Sequence, residues 1–370
     1  MKIGILTQPL RYNIGGLLQN YALQQVLKRL GHKPVTLDPD PYPYQHVSVI
    51  VLAKRLVLRL LGKKITVFVE KEQNRPARTK GKNSDKFIKK YINCLRYSHK
   101  SQLKSLGFDA FIVGSDQTWR PKYNRGRLGN MYLDFTQGMN VKRVAYAASF
   151  GTDEWEYTEE ETSKYAVLLQ QFDSVSVREK SAVQICKKRF NVDAVHVLDP
   201  TFLLSKEDYI RIIKKDKAPK SSGDLLVYFL DNTEDKKLLE KKVVNDYSLT
   251  PFYVNNDVKS LEITPQIPVS QWLRGFYDAK YIITDSFHAC VFAIIFNKPF
   301  ILYANMDRGF ARYQSLFETF DLKDCIVCNS GEYKGLSTFY FDVLNNKLTY
   351  LQKSSMGFLV DSLKHYDFYV

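Results

Sequence analysis

The feature that most constrains the fold is an alternation: short apolar, β-rich runs are followed repeatedly by segments whose apolar residues recur at helical spacing. KIGILTQ (residues 2–8) leads through PLRYNIGG into LLQNYALQQVLKRLG and then KPVTLD. Leu23, Val26, Leu27 and Leu30 mark one helical face there, and Gly31 ends it. AFIVG, RVAYAAS, SVSV and AVHVL follow, with helical EKSAVQICKKRF between the last two. Strands joined through helices pair in parallel, and a parallel sheet is covered on both faces. After KKDKAPKSSGD (214–224), which has the composition of an exposed connection, the alternation restarts with DLLVYFL, KKLLEKKVVND, TPFYVN, SQWLRGFYDA, KYIIT, HACVFAIIFN and PFILYA. At 370 residues, 45% of them apolar, the chain exceeds what one core organises and can fill two. We therefore expect two Rossmann-like α/β domains with an interdomain cleft, 1–213 and 214–370, the last helix being available to pack back on the first domain.

Five cysteines are an odd number for a disulfide framework, and the C-x-x-C pair Cys325 and Cys328 has no second pair or nearby histidine to make a zinc site. They are expected to be reduced packing residues. The N-terminus shows no signal pattern and no apolar run reaches membrane-spanning length, so a cytoplasmic, soluble protein is expected.

The charge of +15 is uneven: between Lys54 and Lys90, thirteen Lys and Arg face only Glu70, Glu72 and Asp85. A local excess of this kind implies an anionic partner or a solvated basic face. No helix-turn-helix, Cys/His finger or aromatic RNA-binding signature accompanies it, which argues against nucleic acid. The excess falls in an insertion at about 47–95 that opens with VIVLAKRLVLRLL. There Val49, Leu52, Ala53, Leu56, Val57 and Leu60 share helical spacing while Lys54, Arg55 and Arg59 take other positions, and Gly62 supplies a stop. Residues 49–64 suit an anionic membrane surface, or an ordinary helix packed on its own domain. Ser84 or Asp85 is expected to cap a further helix burying Phe87, Ile88, Tyr91, Ile92 and Leu95.

Ligands of parallel α/β sheets bind beyond the C-terminal strand ends. Four stretches put polar groups there. RYNIGG offers Gly15 and Gly16 at a helix start, fit for an anion or merely a tight turn. VGSDQTW projects Asp116 and Gln117, with Ser115 and Trp119 on the same wall, unless Asp116 is only a cap. SVSVREKSA places Arg178 one step past a strand, to grip an anion or to pair with Glu179 or Asp173. TDSFHACV sets Asp285, Ser286 and His288 between two apolar runs, where a helix dipole would keep the imidazole neutral. Downstream, DRGFARYQ holds Arg308 and Arg312 one helical turn apart.

Taken together and in order, these blocks resemble the polysaccharide pyruvyl transferase family: N-x-GG-LLQ-x-YALQ at 13–27, VGSDQTW, YAASFG at 146–151, SVREKSA at 176–182, LDPTFLL at 198–204 and TDSFHACVFAIIFNKPFI at 284–301. The resemblance implies a GT-B-like architecture, no metal or cofactor, and transfer of the pyruvyl group of phosphoenolpyruvate to two hydroxyls of a sugar, as a cyclic ketal, with release of phosphate. It implies His288 as the family's histidine and Arg178 as its anion-binding arginine. Many relatives carry an arginine where this chain has Phe287, leaving one anion contact to Arg308 or Arg312. Within that chemistry we expect His288 to act as general acid/base with Asp116 or Asp285. Gly15, Gly16, Gln19, Ser115, Gln117 and Ser286 are expected to help bind substrate. The implied acceptor is a bacterial surface polysaccharide or its lipid-linked precursor, which puts the enzyme at the inner face of the membrane. The competing readings are a nucleotide-sugar glycosyltransferase of the same architecture and a non-catalytic scaffold at the membrane.

Overall fold

The computed structural model describes residues 1–39, 48–62, 67–255, 264–304, 310–335 and 338–364, with residues 69–74 described in backbone only. Strands β1 (Lys2–Leu6), β2 (Lys33–Pro39), β3 (Cys94–Tyr97), β4 (Ala110–Val113), β5 (Lys142–Ala148), β6 (Ser174–Val177) and β7 (Val195–His196) form an all-parallel sheet in the order β3-β2-β1-β4-β5-β6-β7. Helices α1 (Ile14–Arg29), α2 (Val49–Leu60), α3 (Val69–Tyr91), α4 (Glu159–Leu169) and α5 (Lys180–Phe190) lie between these strands, and α6 (Lys206–Lys215) leads onward. The second sheet, also parallel, orders β8 (Leu225–Tyr228), β9 (Pro251–Tyr253), β10 (Tyr281–Thr284), β11 (Phe300–Tyr303) and β12 (Ile326–Val327) as β12-β11-β10-β8-β9. Around it run α7 (Glu234–Tyr247), α8 (Val269–Asp278), α9 (Phe287–Ile295), α10 (Ala311–Phe320) and α11 (Phe341–Ser362).

The central strands β4, β8 and β10 are buried along their whole length, as their unbroken apolar runs require under two covering layers. Helix α9 is buried on every side, which suits a helix wedged between its own sheet and the other half of the molecule. One continuous apolar cluster joins the halves, running from Ile3, Leu17 and Leu18 through Phe202 and Tyr209 to Trp272 and Phe292. The α11 residue Ser355 accepts from the Leu198 N–H at 3.0 Å and Phe358 meets Tyr146, so the last helix does lie against the first sheet's half.

Two expectations change. The helix at 84–95 is the end of α3, which begins at Val69, and Leu95 belongs to β3. Neither Ser84 nor Asp85 caps it: a cap needs non-helical backbone, and both lie inside α3, Ser84 buried and Asp85 exposed. The connection at 214–224, whose lysines stay exposed, is tied to the second half: Ser221 N–H donates to Asp278 at 2.8 Å and the Gln271 amide to the Pro219 carbonyl at 3.3 Å. Trp119 is fully buried in an aromatic cluster, stacked on Tyr132 and donating to the Met131 carbonyl, and lines no ligand wall. Among the described residues no helix is long and apolar enough to cross a membrane.

Candidate active site

Each sheet reverses its strand order once, at β1/β4 in the first and at β10/β8 in the second, and such switch points open crevices at the C-terminal strand ends. The two crevices face each other across a cavity of about 670 Å³. The first half lines it with Arg11, Tyr12, Gly15, Asp116, Gln117 and Tyr123, and Lys80 of α3 stands at its edge. The second half contributes Tyr228, Trp272, Ser286, Phe287, His288 and Arg312.

His288 sits in the first turn of α9, buried, and its ring is pressed against the first turn of α1. Only glycine permits this at position 15: a Cβ there would lie 2.2 Å from Nδ1 of His288. Asn13 caps the same helix by accepting from the Gly16 N–H at 3.1 Å, so that donor is already used. Gly15→Ala should therefore push the imidazole out of place and lower kcat by roughly 10²-fold, the usual scale for about 1 Å of misplacement. A Gly15→Ala enzyme with the wild-type kcat would show that the ring's seat against α1 is unimportant.

Nε2 of His288 has no hydrogen-bond partner among the described residues, and Asp199 Oδ2 stands 3.8 Å away. Burial lowers the imidazole's pKa below 6.5, Arg178 and Arg312 lower it further, and the attraction of Asp199 and Asp116 does not offset them. His288 is thus neutral at neutral pH in the free protein. Burial is the first cause, and the start of α9, where His288 sits, favours the neutral ring in the same direction.

Asp199 is the residue the sequence reading missed. It follows the last strand of the first sheet and is fully engaged, accepting from Arg178 Nη1 at 3.0 Å, Ser115 Oγ at 3.1 Å, and Thr201 N and Oγ1 at 3.0 and 2.7 Å. Burial works to raise its pKa, yet His288, Arg178 and the Thr201 donors outweigh it and hold the carboxylate ionised. Its signal was present in LDPTFLL, an aspartate just past a strand and before a proline.

Arg178 is surrounded by carboxylates: Asp199, Asp116 at 3.4 Å and Glu179 at 3.6 Å. Its guanidinium lies over the Phe287 ring at 4.8 Å, and Arg312 covers the same ring at 5.6 Å. Arg178 is therefore behind the cavity wall, holding Asp116 and Asp199, while Arg312 reaches the cavity itself. Burial raises the Glu179 pKa despite Arg178 and the bond its carboxylate accepts from Ser149. Asp116 has φ 78, in the left-handed region, which turns its carboxylate toward Asn13 and Arg178. Burial would raise the Asp116 pKa, but Arg178, His288 and Arg312 lower it.

The remaining predicted residues divide clearly. Gln117 and Ser286 line the cavity. Ser115 and Gln19 are fully buried and bond inside the protein, Gln19 accepting from the Ser115 N–H at 3.1 Å and donating to Thr7 at 2.9 Å. Asp285 faces away from His288: it accepts from Lys236 Nζ and from the Leu230 N–H, both at 2.7 Å. Arg308 lies outside the described residues.

A family model described as polysaccharide pyruvyl transferase matches residues 13–308. The chain belongs to the polysaccharide pyruvyl transferase family. The match begins at the Asn13 cap and covers Asp116, Arg178, Asp199 and His288, while Arg312 falls just beyond it. General stress protein 30 of Bacillus subtilis (strain 168) is 23% identical over 198 residues, covering 49% of this chain and 55% of its own length, so the chain spans about half of that relative. Among solved structures, the UDP-GlcNAc 2-epimerase from Neisseria meningitidis superposes with a TM-score of 0.51 at 10% identity, covering 98% of this chain and 99% of that one. That likeness concerns the fold: two Rossmann-like halves, each built on a parallel sheet, in a GT-B-like arrangement.

Proposed function

We propose that this member of the family transfers the pyruvyl group of phosphoenolpyruvate to two hydroxyls of a sugar in a surface polysaccharide or its lipid-linked precursor, on the cytoplasmic side. The observation that carries the reading is His288: a buried, neutral imidazole with an unpartnered Nε2, held between Gly15 and Asp199 beside a cavity large enough for donor and sugar together. In this reading Arg312 and Lys80 meet the donor's phosphate and carboxylate, with Ser286 as a further donor. Arg178 positions Asp116 and Asp199. The aromatic lining, Tyr12, Tyr123, Tyr228 and Trp272, gives the sugar ring apolar faces to pack on.

The reaction balances as follows. A proton adds to the methylene carbon of the donor while one sugar hydroxyl forms a C–O bond at its central carbon and loses its proton. The bond to the phosphate oxygen then breaks, and the second hydroxyl attacks the same carbon, giving ketal, phosphate and a proton. His288 takes the first hydroxyl's proton and passes it to the methylene carbon, then takes the second hydroxyl's proton and releases it with the phosphate, Asp199 stabilising the imidazolium between each uptake and delivery.

Because the base form is required and its pKa lies below 6.5, kcat/KM should fall as pH drops through that lowered pKa and be flat across neutral pH. A profile whose acid limb centres above neutrality contradicts this assignment. The function itself is tested by phosphate release from phosphoenolpyruvate with a panel of sugar acceptors. Release that depends on both substrates supports it. A thermal shift with UDP or GDP but none with phosphoenolpyruvate would favour a nucleotide-sugar glycosyltransferase, and no release with any acceptor would favour the scaffold reading.

A further inference from the structure

Helix α2 takes no part in the site, and none of its residues is buried. Val49, Ile50 and Leu60 are 80%, 81% and 85% exposed. At about 100° per residue, Val49, Ile50, Leu56, Val57, Leu60 and Leu61 fall on one half of the helix. Lys54 and Arg59 flank that half on either side. The half-covered residues Leu52, Arg55 and Leu58 mark the opposite side, where Arg55 donates to the Val67 carbonyl at 3.3 Å. The apolar half therefore points away from the protein.

We propose that α2 lies in the headgroup layer of an anionic bilayer, with its apolar half immersed and Lys54 and Arg59 on the lipid phosphates. Charge complementarity selects this occupant. No acidic residue occurs from 41 to 69, whereas Lys54, Arg55, Arg59, Lys63 and Lys64 do. A second copy docked on the same face would bring Lys54 and Arg59 against their own counterparts with no carboxylate on the helix to pair them.

The placement also deepens the proposed function, on which this step rests. Helix α3 follows α2 directly, its start fixed by the buried Val67. Lys80 lies eleven residues into it, roughly 16 Å along its axis. There its ammonium stands 5.5 Å over the Tyr12 ring at the cavity edge, and its carbonyl accepts from the Gln266 N–H at 3.1 Å. A sugar carried on a lipid phosphate would thus enter the cavity at its Lys80 edge and reach His288 from the bilayer side.

The test is co-sedimentation of the whole protein with vesicles of phosphatidylcholine alone or mixed with phosphatidylglycerol. Binding should need the anionic lipid, weaken with NaCl, and fall at least tenfold in Leu56→Ser/Leu60→Ser and in Lys54→Glu/Arg59→Glu. Equal binding to neutral vesicles, no binding at all, or an α2-dependent dimer in light scattering would overturn the docking. The same variants should keep wild-type turnover on a water-soluble acceptor and lose it on a lipid-linked acceptor embedded in vesicles. Lipid binding without turnover on either acceptor leaves the docking standing and removes the proposed reaction.

Discussion

Replacing His288 by Gln is expected to lower kcat by about 10²- to 10⁴-fold while moving the melting temperature by only a few degrees. The amide fills a similar volume but cannot cycle a proton. The stability expectation follows from Nε2 having no hydrogen bond to lose among the described residues and from the neutral state of the imidazole in the free protein. The acid limb of the pH profile should vanish with the histidine. Steady-state kinetics on the purified variant decide the matter, and a folded His288→Gln protein turning over at the wild-type rate would transfer the proton chemistry to Asp116 or Glu179.

The largest stability effect is expected at Asp285, a residue we first considered for catalysis. Lys236 and Asp285 are both buried, with Nζ 2.7 Å from Oδ2, and Asp231 also pairs with the lysine. Burial raises the Asp285 pKa, and the Lys236 bond does not fully offset it. Losing the partner of a buried charge costs about 3–5 kcal/mol at most, and without Asp285 the buried Lys236 keeps only the partly exposed Asp231 as counterion. Asp285→Ala should show this loss in urea denaturation followed by Trp272 fluorescence. Exchanging both partners, Lys236→Met with Asp285→Leu, should recover most of it. A single-variant loss below about 1 kcal/mol would mean the pair is well hydrated in solution. The anchor also has a local role: Asp285 accepts from the Leu230 N–H, and Leu230 lines the cavity, so the loop after β8 is held at the site's edge.

These two neighbouring positions show how far the sequence could be read. Their place at the junction of β10 and α9 was legible, because an apolar run broken by Asp, Ser and His marks a strand end in a parallel sheet. Their roles were not, because in a helix start the direction of each side chain is set by the turn, and three positions separate a cavity-facing imidazole from a carboxylate aimed at α7. Arg178 was likewise found at the right strand end, and Glu179, one of the partners the sequence offered, does stand beside it, but Asp173 does not; Asp199 and Asp116, which take its fork, and Phe287, which covers its face, come from distant parts of the chain.

Local pattern along the chain settles the two parallel sheets, the helix stops at Gly31 and Gly62, and the basic amphipathic character of α2, because hydrophobic period and helix stops are local properties. Only the tertiary structure decided that Asp199 attends His288, that Gly15 is a seat for a ring from the other half, and that α2 turns its apolar side outward. Those depend on groups brought together over long separations, such as 62 residues between Asp116 and Arg178 and 49 between Lys236 and Asp285. The partner of a buried charge is chosen by which elements pack together, and no local pattern encodes it.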